Sequence, residues 1–558
     1  MPDEPRTPRQ IADRYVERLA ALDPLVATSL GIRGHDDRLP DLSPEGAAER
    51  DDLARDTQAE LEAAVAAGGL DDAERRCATV LAERLEAGRA VHAAGEHLRA
   101  VSNLFSPVQR VRQIFLLMPT ATSEDWDVVA RRMGRVADAY DSYLRSLQAG
   151  VTQGLFAAPR QVQVVIDQLD EWLGVAGGSW FATHVAAGPD DLRGELDDAA
   201  ASATAAATRV RDHLRDVYLD QAAGTPDPAG RERYAVWARQ WTGADLDLDE
   251  AYAWAWDEHR RIDVDMRAAA ELVLPGSTPM EAMAHLDEHG DAVEGEEEVR
   301  LRLQALMDEV IADLDGTHFD LAEPVKVVEA MIAPPGGAAA PYYTRPSMDF
   351  ARPGRTWLPT MGVTRFPWWG LVSTWYHEGV PGHHLQLAQW VHVAPQLSTY
   401  QTSLGSNSAV TEGWALYAER LMDELGYLRT PAERLGYLDA QQMRAVRVII
   451  DIGMHLELEL PADQPFHPGE RWTPDLGREY LGLHCGRSTG FLDSELIRYL
   501  GMPAQAITYK LGERAWLAGR AAAQARLGDD WDAKAWHMAA LSMGSLGLDD
   551  LTEELGRL

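Results

Sequence analysis

The distribution of proline is the sequence feature that most constrains this fold. Proline lacks a backbone N–H and breaks helices, and long stretches of the 558-residue chain contain none, among them residues 51–67, 73–98 and 195–219. Within these stretches apolar residues recur every three or four positions, and the helix-favouring residues Ala, Leu, Glu and Arg are abundant. The sequence therefore predicts a mainly α, large helical protein. We find no internal repeat that would support a helical solenoid.

One stretch departs from this pattern. From residue 324 to residue 367 prolines and glycines are frequent, and short β-prone runs occur at 325–329 and 356–359. This combination predicts a small antiparallel β element, a sheet or an extended ribbon, embedded in a helical protein. Two roles are open for it. The edge of such a strand can pair with an extended peptide, or the stretch is a connecting segment without a substrate role.

The start of this stretch is also the predicted domain boundary. Residues 1–323 form an N-terminal helical part, and residues 324–558 form a catalytic part with the β element and the motifs described below. Length is a weak guide to domain number. The two parts are expected to form one compact unit.

Charge and cysteine content exclude several classes of function. The chain has 52 Lys and Arg against 88 Asp and Glu, a formal charge of −36. This argues against nucleic acid or an anionic membrane as a partner, because both require a basic face.

Two cysteines, Cys77 and Cys485, in so long a chain suggest a reducing compartment. Residues 1–6 lack the apolar core of a signal peptide, and no apolar run reaches the roughly 18 residues of a membrane span. The cytoplasm is the expected location.

The residues best suited to catalysis lie in the second half of the chain. A His-Glu pair, His377 and Glu378, is followed by two adjacent histidines, His383 and His384, and then by an acidic motif at residues 411–415. Two neutral imidazoles, one carboxylate ligand and one carboxylate base are what a hydrolytic zinc site requires. The sequence therefore predicts a metal site here, with a buried structural histidine cluster as the alternative.

The spacing of these histidines is unusual. In the common His-Glu-x-x-His helix the two histidines lie four residues apart on one face. On a regular helix His377 and His384, seven residues apart, would be separated by ~10.5 Å along the axis. Two imidazole nitrogens that share a zinc must lie within about 4 Å of each other. The Gly-Val-Pro-Gly sequence at residues 379–382 allows a kink or bulge that absorbs two extra residues. We therefore predict His377 and His383 as ligands, with His384 as the alternate.

Three carboxylates have predicted roles around these histidines. Glu378, next to a ligand, is the expected general base that takes a proton from zinc-bound water. Glu412, 29 residues after His383 on a helical segment, is the expected third ligand, which leaves the fourth position open for water. Glu419 lies seven residues further on nearly the same helix face and is expected to orient a histidine.

These motifs also carry a resemblance to a known family. The chain resembles bacterial domain-of-unknown-function family 885 at residues 22–31, 377–386, 412–419 and 503–512. The two central pieces are highly specific. The resemblance implies relatives among the glutamate-liganded zinc peptidases (gluzincins), such as thimet-oligopeptidase-like and angiotensin-converting-enzyme-like proteins. It also implies a predominantly helical fold with a deep cleft. The chain departs from the gluzincin pattern by its two-residue insertion.

A further candidate lies on a predicted helix at residues 434–458. Arg444, Arg447, Asp451 and His455 share one sector of it, because steps of three and four residues return to the same face. The apolar residues around them indicate a buried helix, in which charges are usually paired or functional. We expect Arg447 and Asp451 either to be structural or to support the residues of the site, and His455 to face the cleft as a catalytic residue. A solvated salt-bridge face is the alternative.

Tyr509 is the candidate for stabilising an oxyanion. A phenol can donate a hydrogen bond where negative charge develops, and the gluzincin resemblance implies a tyrosine or histidine from a late helix in this role. A packed core tyrosine is the alternative.

The predicted function is zinc-dependent hydrolysis of an amide bond in short peptides. The expected cofactor is Zn2+, and the expected partner is a short peptide or small amide substrate, with neither nucleic acid nor a membrane. Two alternatives remain, a metal-dependent hydrolase or lyase of a small amino-acid-derived metabolite and a non-catalytic helical binding protein. The sequence leaves exo- or endo-action and the oligomeric state open.

Overall fold

The computed structural model describes residues 6–174, 178–334 and 340–558. It is mainly helical with two small sheets, which confirms the predicted fold class. None of the helices in these three ranges is long and apolar enough to cross a membrane.

The α-helices, in chain order, are α1 (Pro8–Leu22), α2 (Pro24–Leu30), α3 (Pro44–Ala67), α4 (Asp72–Ala93), α5 (Pro107–Leu117), α6 (Ser123–Met133), α7 (Val136–Thr152), α8 (Pro159–Gly174), α9 (Trp180–Val185), α10 (Arg193–His213), α11 (Leu219–Ala222), α12 (Arg231–Thr242), α13 (Leu248–Val273), α14 (Pro279–His289), α15 (Glu296–Leu314), α16 (Leu371–Glu378), α17 (His383–His392), α18 (Ser408–Glu424), α19 (Pro431–Leu456), α20 (Pro474–His484), α21 (Thr489–Gly501), α22 (Thr508–Leu527), α23 (Ala533–Leu541) and α24 (Leu548–Arg557). The strands are β1 (Ala292–Glu294), β2 (Val328–Ile332), β3 (Tyr342–Thr344), β4 (Gly354–Leu358) and β5 (Arg365–Pro367).

Prolines mark the starts of many of these helices rather than their breaks. In α3 the first residue is proline, and the hydroxyl of Ser43 accepts a hydrogen bond from the backbone N–H of Gly46 at 3.2 Å. In α19 Thr430 and Glu433 form a reciprocal capping box around the first proline. Proline is tolerated there because first-turn N–H groups have no helical partner. The proline-free stretches are thus free to continue as helix.

Two compact units make up the chain. The first comprises Met1–Gly69, Leu85–Val236 and Ile497–Met502, and the second comprises Leu70–Arg84, Trp237–Leu496 and Pro503–Leu558. The boundary predicted between residues 323 and 324 stays a prediction.

The first unit is built around α10. This helix packs against α6, α7, α8 and α9. Its inward face carries the fully buried Ala203, Ala206 and Ala207, whose small side chains let neighbouring helices approach closely. Buried Tyr140 and Leu169 from those neighbours complete the core.

The second unit is built around α19. Every residue from 435 to 455 except Arg444 is buried, so the predicted burial of this helix is confirmed. It packs against α13, α16 and α20. A second close contact joins α18 to α22, where a Cβ on Gly413 or Gly512 would collide with the backbone of the other. Glycine at both positions therefore allows these two helices to pack closely against each other.

The predicted β element lies just before α16. β4 pairs with β3 in antiparallel register and with β2 in parallel register, and β1 pairs with β5 antiparallel. The parallel pairing was not expected. It is possible because the chain between β2 and β4 is long enough for the crossover that parallel strands require.

An aromatic cluster joins α18, α22 and α23. The ring centroids of Trp414 and Trp516 are 4.8 Å apart, and the hydroxyl of Tyr417 lies 2.7 Å from Nε2 of His537. His537 is 3% exposed. Burial, followed by the nearby positive charge of Arg520, lowers the pKa of His537 to about 3. This imidazole is therefore neutral in the folded protein across the physiological range.

We predict that acid destabilises the protein partly through His537. Its ordinary pKa is 6.5, so between about pH 6.5 and pH 3 the unfolded chain binds more protons than the folded chain. This contribution to stability is complete above the ordinary pKa and is lost as the pH falls. At about pH 5 the expected loss at this one residue is about 2 kcal/mol.

The variant His537→Gln keeps an acceptor for Tyr417 but does not titrate. Its melting temperature, followed by circular dichroism, should fall less than that of the unmodified protein between about pH 7 and about pH 5. The matched control is His289→Gln, at a side chain that is 62% exposed on α14, and it should show the full fall. Equal falls in both variants would contradict the prediction.

Candidate metal centre

The predicted distortion between the histidines is present. Residues 379–382 separate α16 from α17. The backbone N–H of Gly382 donates to the carbonyl of Tyr376, and that of His384 donates to the carbonyl of Gly379, both at 3.0 Å. These bonds span six and five residues rather than the four of a regular α-helix. The helix is interrupted at the place where the ligand spacing required it.

Close packing explains the glycines in this break. A Cβ on Gly382 would collide with backbone carbonyls of α16, and a Cβ on Gly379 would collide with the sulfur of Met307. Pro381 has no N–H with which to continue the helix. The indole Nε1 of Trp414 donates to the carbonyl oxygens of Pro381 and Gly382 at 2.9 and 3.1 Å. α18 thus holds the break in place.

Three side chains converge beside the break. His377 on α16, His383 at the start of α17 and Glu412 on α18 each offer a ligand atom, and these atoms lie within 4.8 Å of one another. Oε2 of Glu412 is 3.3 Å from Nε2 of His377 and 3.5 Å from Nε2 of His383. Two ligands of a tetrahedral ion at about 2.0–2.1 Å lie about 3.3–3.4 Å apart. These three residues, the metal group, could therefore hold a metal ion.

The Glu412 oxygen supports this fit. Its Oε2 is buried and makes no hydrogen bond within the described residues, although two imidazole nitrogens lie at ion-pair distance. The imidazoles therefore approach the oxygen without hydrogen-bond geometry. Buried polar atoms nearly always have a partner. A cation held between the three side chains would provide that partner.

Glu419 orients His377, as the sequence predicts. Its Oε1 lies 2.8 Å from Nδ1 of His377, and its Oε2 accepts a hydrogen bond from the hydroxyl of Ser373 at 2.5 Å. A carboxylate on one ring nitrogen fixes the orientation of a metal-binding imidazole. Nε2 of His377 is thereby directed toward Glu412.

Burial and mutual attraction determine the charges of the group. Burial lowers the pKa of His377, but the carboxylates of Glu412 and Glu419 outweigh it and raise that pKa to about 9. Burial raises the pKa of Glu412, but His377 and His383 outweigh it and hold that pKa well below its usual range. Burial raises the pKa of Glu378. Without an ion, the group therefore pairs a protonated His377 with the ionised carboxylate of Glu412.

The metal group lines a cavity of about 690 Å³, here called the cleft. Glu378 and Tyr509, both predicted to be catalytic, line it as well. So do three cations, Arg444, Arg447 and Arg487. The cleft thus presents a carboxylate, a phenol and several arginines beside the metal group.

His384 lies outside the metal group. Its Nδ1 is 2.9 Å from the hydroxyl of Tyr343, and its Nε2 is 2.7 Å from the carbonyl oxygen of Val325. Both ring nitrogens are therefore used in packing α17 against β3 and against the 3-10 turn Glu323–Lys326, which precedes β2. The structure brings His383, and not the alternate His384, to His377.

His455 is fully buried on α19, where its Nε2 lies 3.9 Å from Asp451. It does not line the cleft as formed by the described residues. A catalytic role for His455 stays a prediction that this placement does not support.

Two contributors were not predicted from the sequence. Ser373 precedes His377 by four residues, so helical periodicity could have placed both on one face. Trp414 offered no such signal, because its bond to the break depends on how α18 packs against α16 and α17.

The comparisons with known proteins agree on the fold. A structure of a protein described as a "putative lipoprotein" from Colwellia psychrerythraea matches with a TM-score of 0.83 and 22% identity, covering 99% of this chain and 98% of that one. A "putative lipoprotein of unknown function" from Shewanella oneidensis matches with a TM-score of 0.77 and 17% identity, covering 99% and 100%. The model of a family described as "Bacterial protein of unknown function (DUF885)" matches residues 24–555. No curated protein matches the chain.

We predict that Gly382→Ala abolishes binding of a divalent metal. The added Cβ would collide with α16 and push the start of α17 away from His377. Overpacking of this kind costs about 1–3 kcal/mol of stability. Isothermal titration with zinc and a melting curve would measure both effects.

The control for this variant is Gly490→Ala on α21, where the added Cβ would meet no atom of the described residues within 4 Å, apart from its own chain neighbours and helix backbone. It should bind metal and melt as the unmodified protein does. Normal metal binding by Gly382→Ala would show that the break does not depend on this glycine.

Proposed function

Because the family match covers nearly the whole chain, the chain belongs to the DUF885 family of bacterial proteins of unknown function, and we propose its function from the site: a zinc-dependent hydrolase that cleaves an amide bond in short peptides. The convergence of His377, His383 and Glu412 in a cleft that also contains Glu378 carries this proposal. The gluzincin resemblance of the two central motifs supports the same chemistry.

Zinc suits this set of ligands. Two imidazoles and one carboxylate match hydrolytic zinc sites, which keep one coordination position open. An ion held by His377, His383 and Glu412 would supply Lewis-acid chemistry, which activates water and polarises a carbonyl group.

Glu378 is the proposed general base. It follows the ligand His377 directly, lines the cleft and is 7% exposed. Burial raises its pKa above the ordinary value of a glutamate, which suits a carboxylate that accepts and returns a proton near neutral pH. It takes a proton from the attacking water and passes it to the leaving amine.

Tyr509 is the proposed oxyanion donor. It lines the cleft from the start of α22, and the guanidinium of Arg447 lies 4.8 Å from the centre of its ring. This cation–π contact limits the positions open to the ring. Its hydroxyl donates a hydrogen bond to the carbonyl oxygen as negative charge develops there.

The size of the cleft supports a small substrate. Its volume of about 690 Å³ lies within the range of about 300–1,000 Å³ that is usual for small-ligand sites. A peptide of a few residues fits this volume better than an extended protein segment. A small amino-acid-derived metabolite fits it equally, and turnover of such compounds without turnover of peptides would favour that alternative.

The cellular location is a separate proposal. The cytoplasm expected from the sequence stays a prediction. Both similar structures are of proteins described as putative lipoproteins, which supports an envelope location as the alternative. Fractionation of cells that produce the full chain distinguishes the two.

We predict that the purified protein binds one zinc ion per chain. Glu412→Gln should weaken this binding by at least about 100-fold, because loss of a residue that only hydrogen-bonds to a metal ligand already weakens it by up to about that factor. The carboxamide removes the negative charge that pairs with both histidines. Metal analysis and competition with a chelator measure the change. Glu424→Gln, on the same helix and paired with Arg520 at 2.9 Å, is the control and should bind normally. Absence of zinc from the loaded unmodified protein would end the metal proposal.

We also predict that Glu378→Gln keeps zinc but loses about 10²- to 10⁴-fold in kcat/KM on a cleaved peptide, the usual contribution of a general base. The amide preserves size but cannot take a proton. Release of amine from a library of short peptides measures the rate, with Glu424→Gln again as the control. Unchanged activity in the zinc-loaded variant would remove Glu378 as the base.

A further inference from the structure

Arg444 is a largely buried cation with unused donors. Its side chain is 12% exposed and lines the cleft. The Oε1 of Glu419 is 3.6 Å from its Nη2, and its buried Nε has no hydrogen-bond partner within the described residues. A guanidinium has five N–H donors, and a buried charge is costly unless it is paired. Such a group favours an anionic ligand.

Glu419 does not satisfy this arginine. Its Oε1 already contacts Nδ1 of His377 at 2.8 Å, and its Oε2 accepts from Ser373 at 2.5 Å. A separation of 3.6 Å is too long for a hydrogen bond. One oxygen of Glu419 therefore contacts the proposed metal ligand His377 and the other the Ser373 hydroxyl, and Arg444 contributes only a nearby charge to this carboxylate.

The other two arginines of the cleft are paired within the protein. Arg447 donates to Glu495 at 2.6 Å. Arg487 lies 3.1 Å from Asp439. Among the three arginines that line the cleft in the described part of the chain, Arg444 has the weakest protein partner.

Arg444 lies close to the metal group. A single carboxylate, that of Glu419, separates its guanidinium from the ligand His377. A substrate whose amide reaches the metal group can therefore place a neighbouring group at Arg444. Arginine binds carboxylates strongly, because two parallel N–H donors match the two oxygens.

We propose that Arg444 binds a carboxylate of the substrate, so that the cleft selects short peptides with a free carboxylate close to the cleaved bond. This rests on the proposed function for the identity of the substrate. The carboxylate comes either from the peptide C-terminus or from an acidic side chain, which offer the arginine the same chemistry.

Binding of three peptides to the zinc-loaded Glu378→Gln protein tests the proposal without requiring hydrolysis. The probes are N-acetyl-Ala-Ala-Ala as the free acid, the same peptide as its C-terminal amide, and N-acetyl-Ala-Glu-Ala amide. Isothermal titration calorimetry gives each affinity. We expect at least one carboxylate peptide to bind about 10- to 100-fold more tightly than the neutral amide, the value of a charged hydrogen bond.

Substitution of Arg444 should remove this preference. In the Arg444→Gln, Glu378→Gln double variant the ratio should fall to about one, with the affinity for the neutral amide unchanged. Arg444→Lys keeps the charge and should give an intermediate ratio, which preserves the test if the glutamine variant folds poorly. Arg434→Gln is the control on the same helix, where the side chain is 42% exposed and pairs with Asp423. It should keep the full ratio.

The outcomes separate this inference from the proposed function. Tighter binding of the free acid identifies the C-terminus as the source, and tighter binding of the glutamate peptide identifies a side chain. Equal affinity for all three probes, binding of none, or a ratio unchanged in the glutamine variant overturns the role of Arg444. If the unmodified protein hydrolyses no peptide but the preference is present, the proposed function fails and the carboxylate site stands.

Discussion

The hydrogen bonds from the Trp414 indole to the break at residues 379–382 are the interaction on which the candidate metal centre depends. They join α18 to the segment that lets His383 approach His377. Glu412 lies two residues before the tryptophan on the same helix, so the contact that holds the break also places the third ligand. One packing interaction therefore brings together ligands from three helices.

Charge balance favours a cation at such a site. Three largely buried carboxylates, Glu378, Glu412 and Glu419, surround the histidines, and Arg444 lies within ion-pair distance of one of them. An excess of two negative charges in a buried site is unfavourable. Without an ion it is offset by protons, which is why the pKa of His377 rises despite burial. A divalent ion balances the same charges and leaves the imidazoles neutral, as metal ligation requires.

Local chain geometry made part of this site predictable. In a regular helix, neither His383 nor His384, six and seven residues after His377, could share an ion with it. The glycines and proline between them therefore implied a break, and the break is present. The choice between His383 and His384 was not predictable in the same way. It depends on the Tyr343 hydroxyl and the Val325 carbonyl, which capture His384. Tyr343 comes from β3 and Val325 from the turn before β2, and the contact of both with α17 is a tertiary event.

The same limit applies to α19. Periodicity correctly predicted a buried helix, and it placed Arg444, Arg447 and His455 in one sector. It could not show that the three meet different surroundings, because every side of a buried helix has a partner. Packing gives Arg447 a carboxylate at 2.6 Å and encloses His455 completely. Within the described ranges, the carboxylate paired with Arg444 at the cleft is 3.6 Å away. What distinguishes Arg444 is therefore an unmet hydrogen-bonding requirement, which follows from the fold and has no counterpart in the spacing of residues.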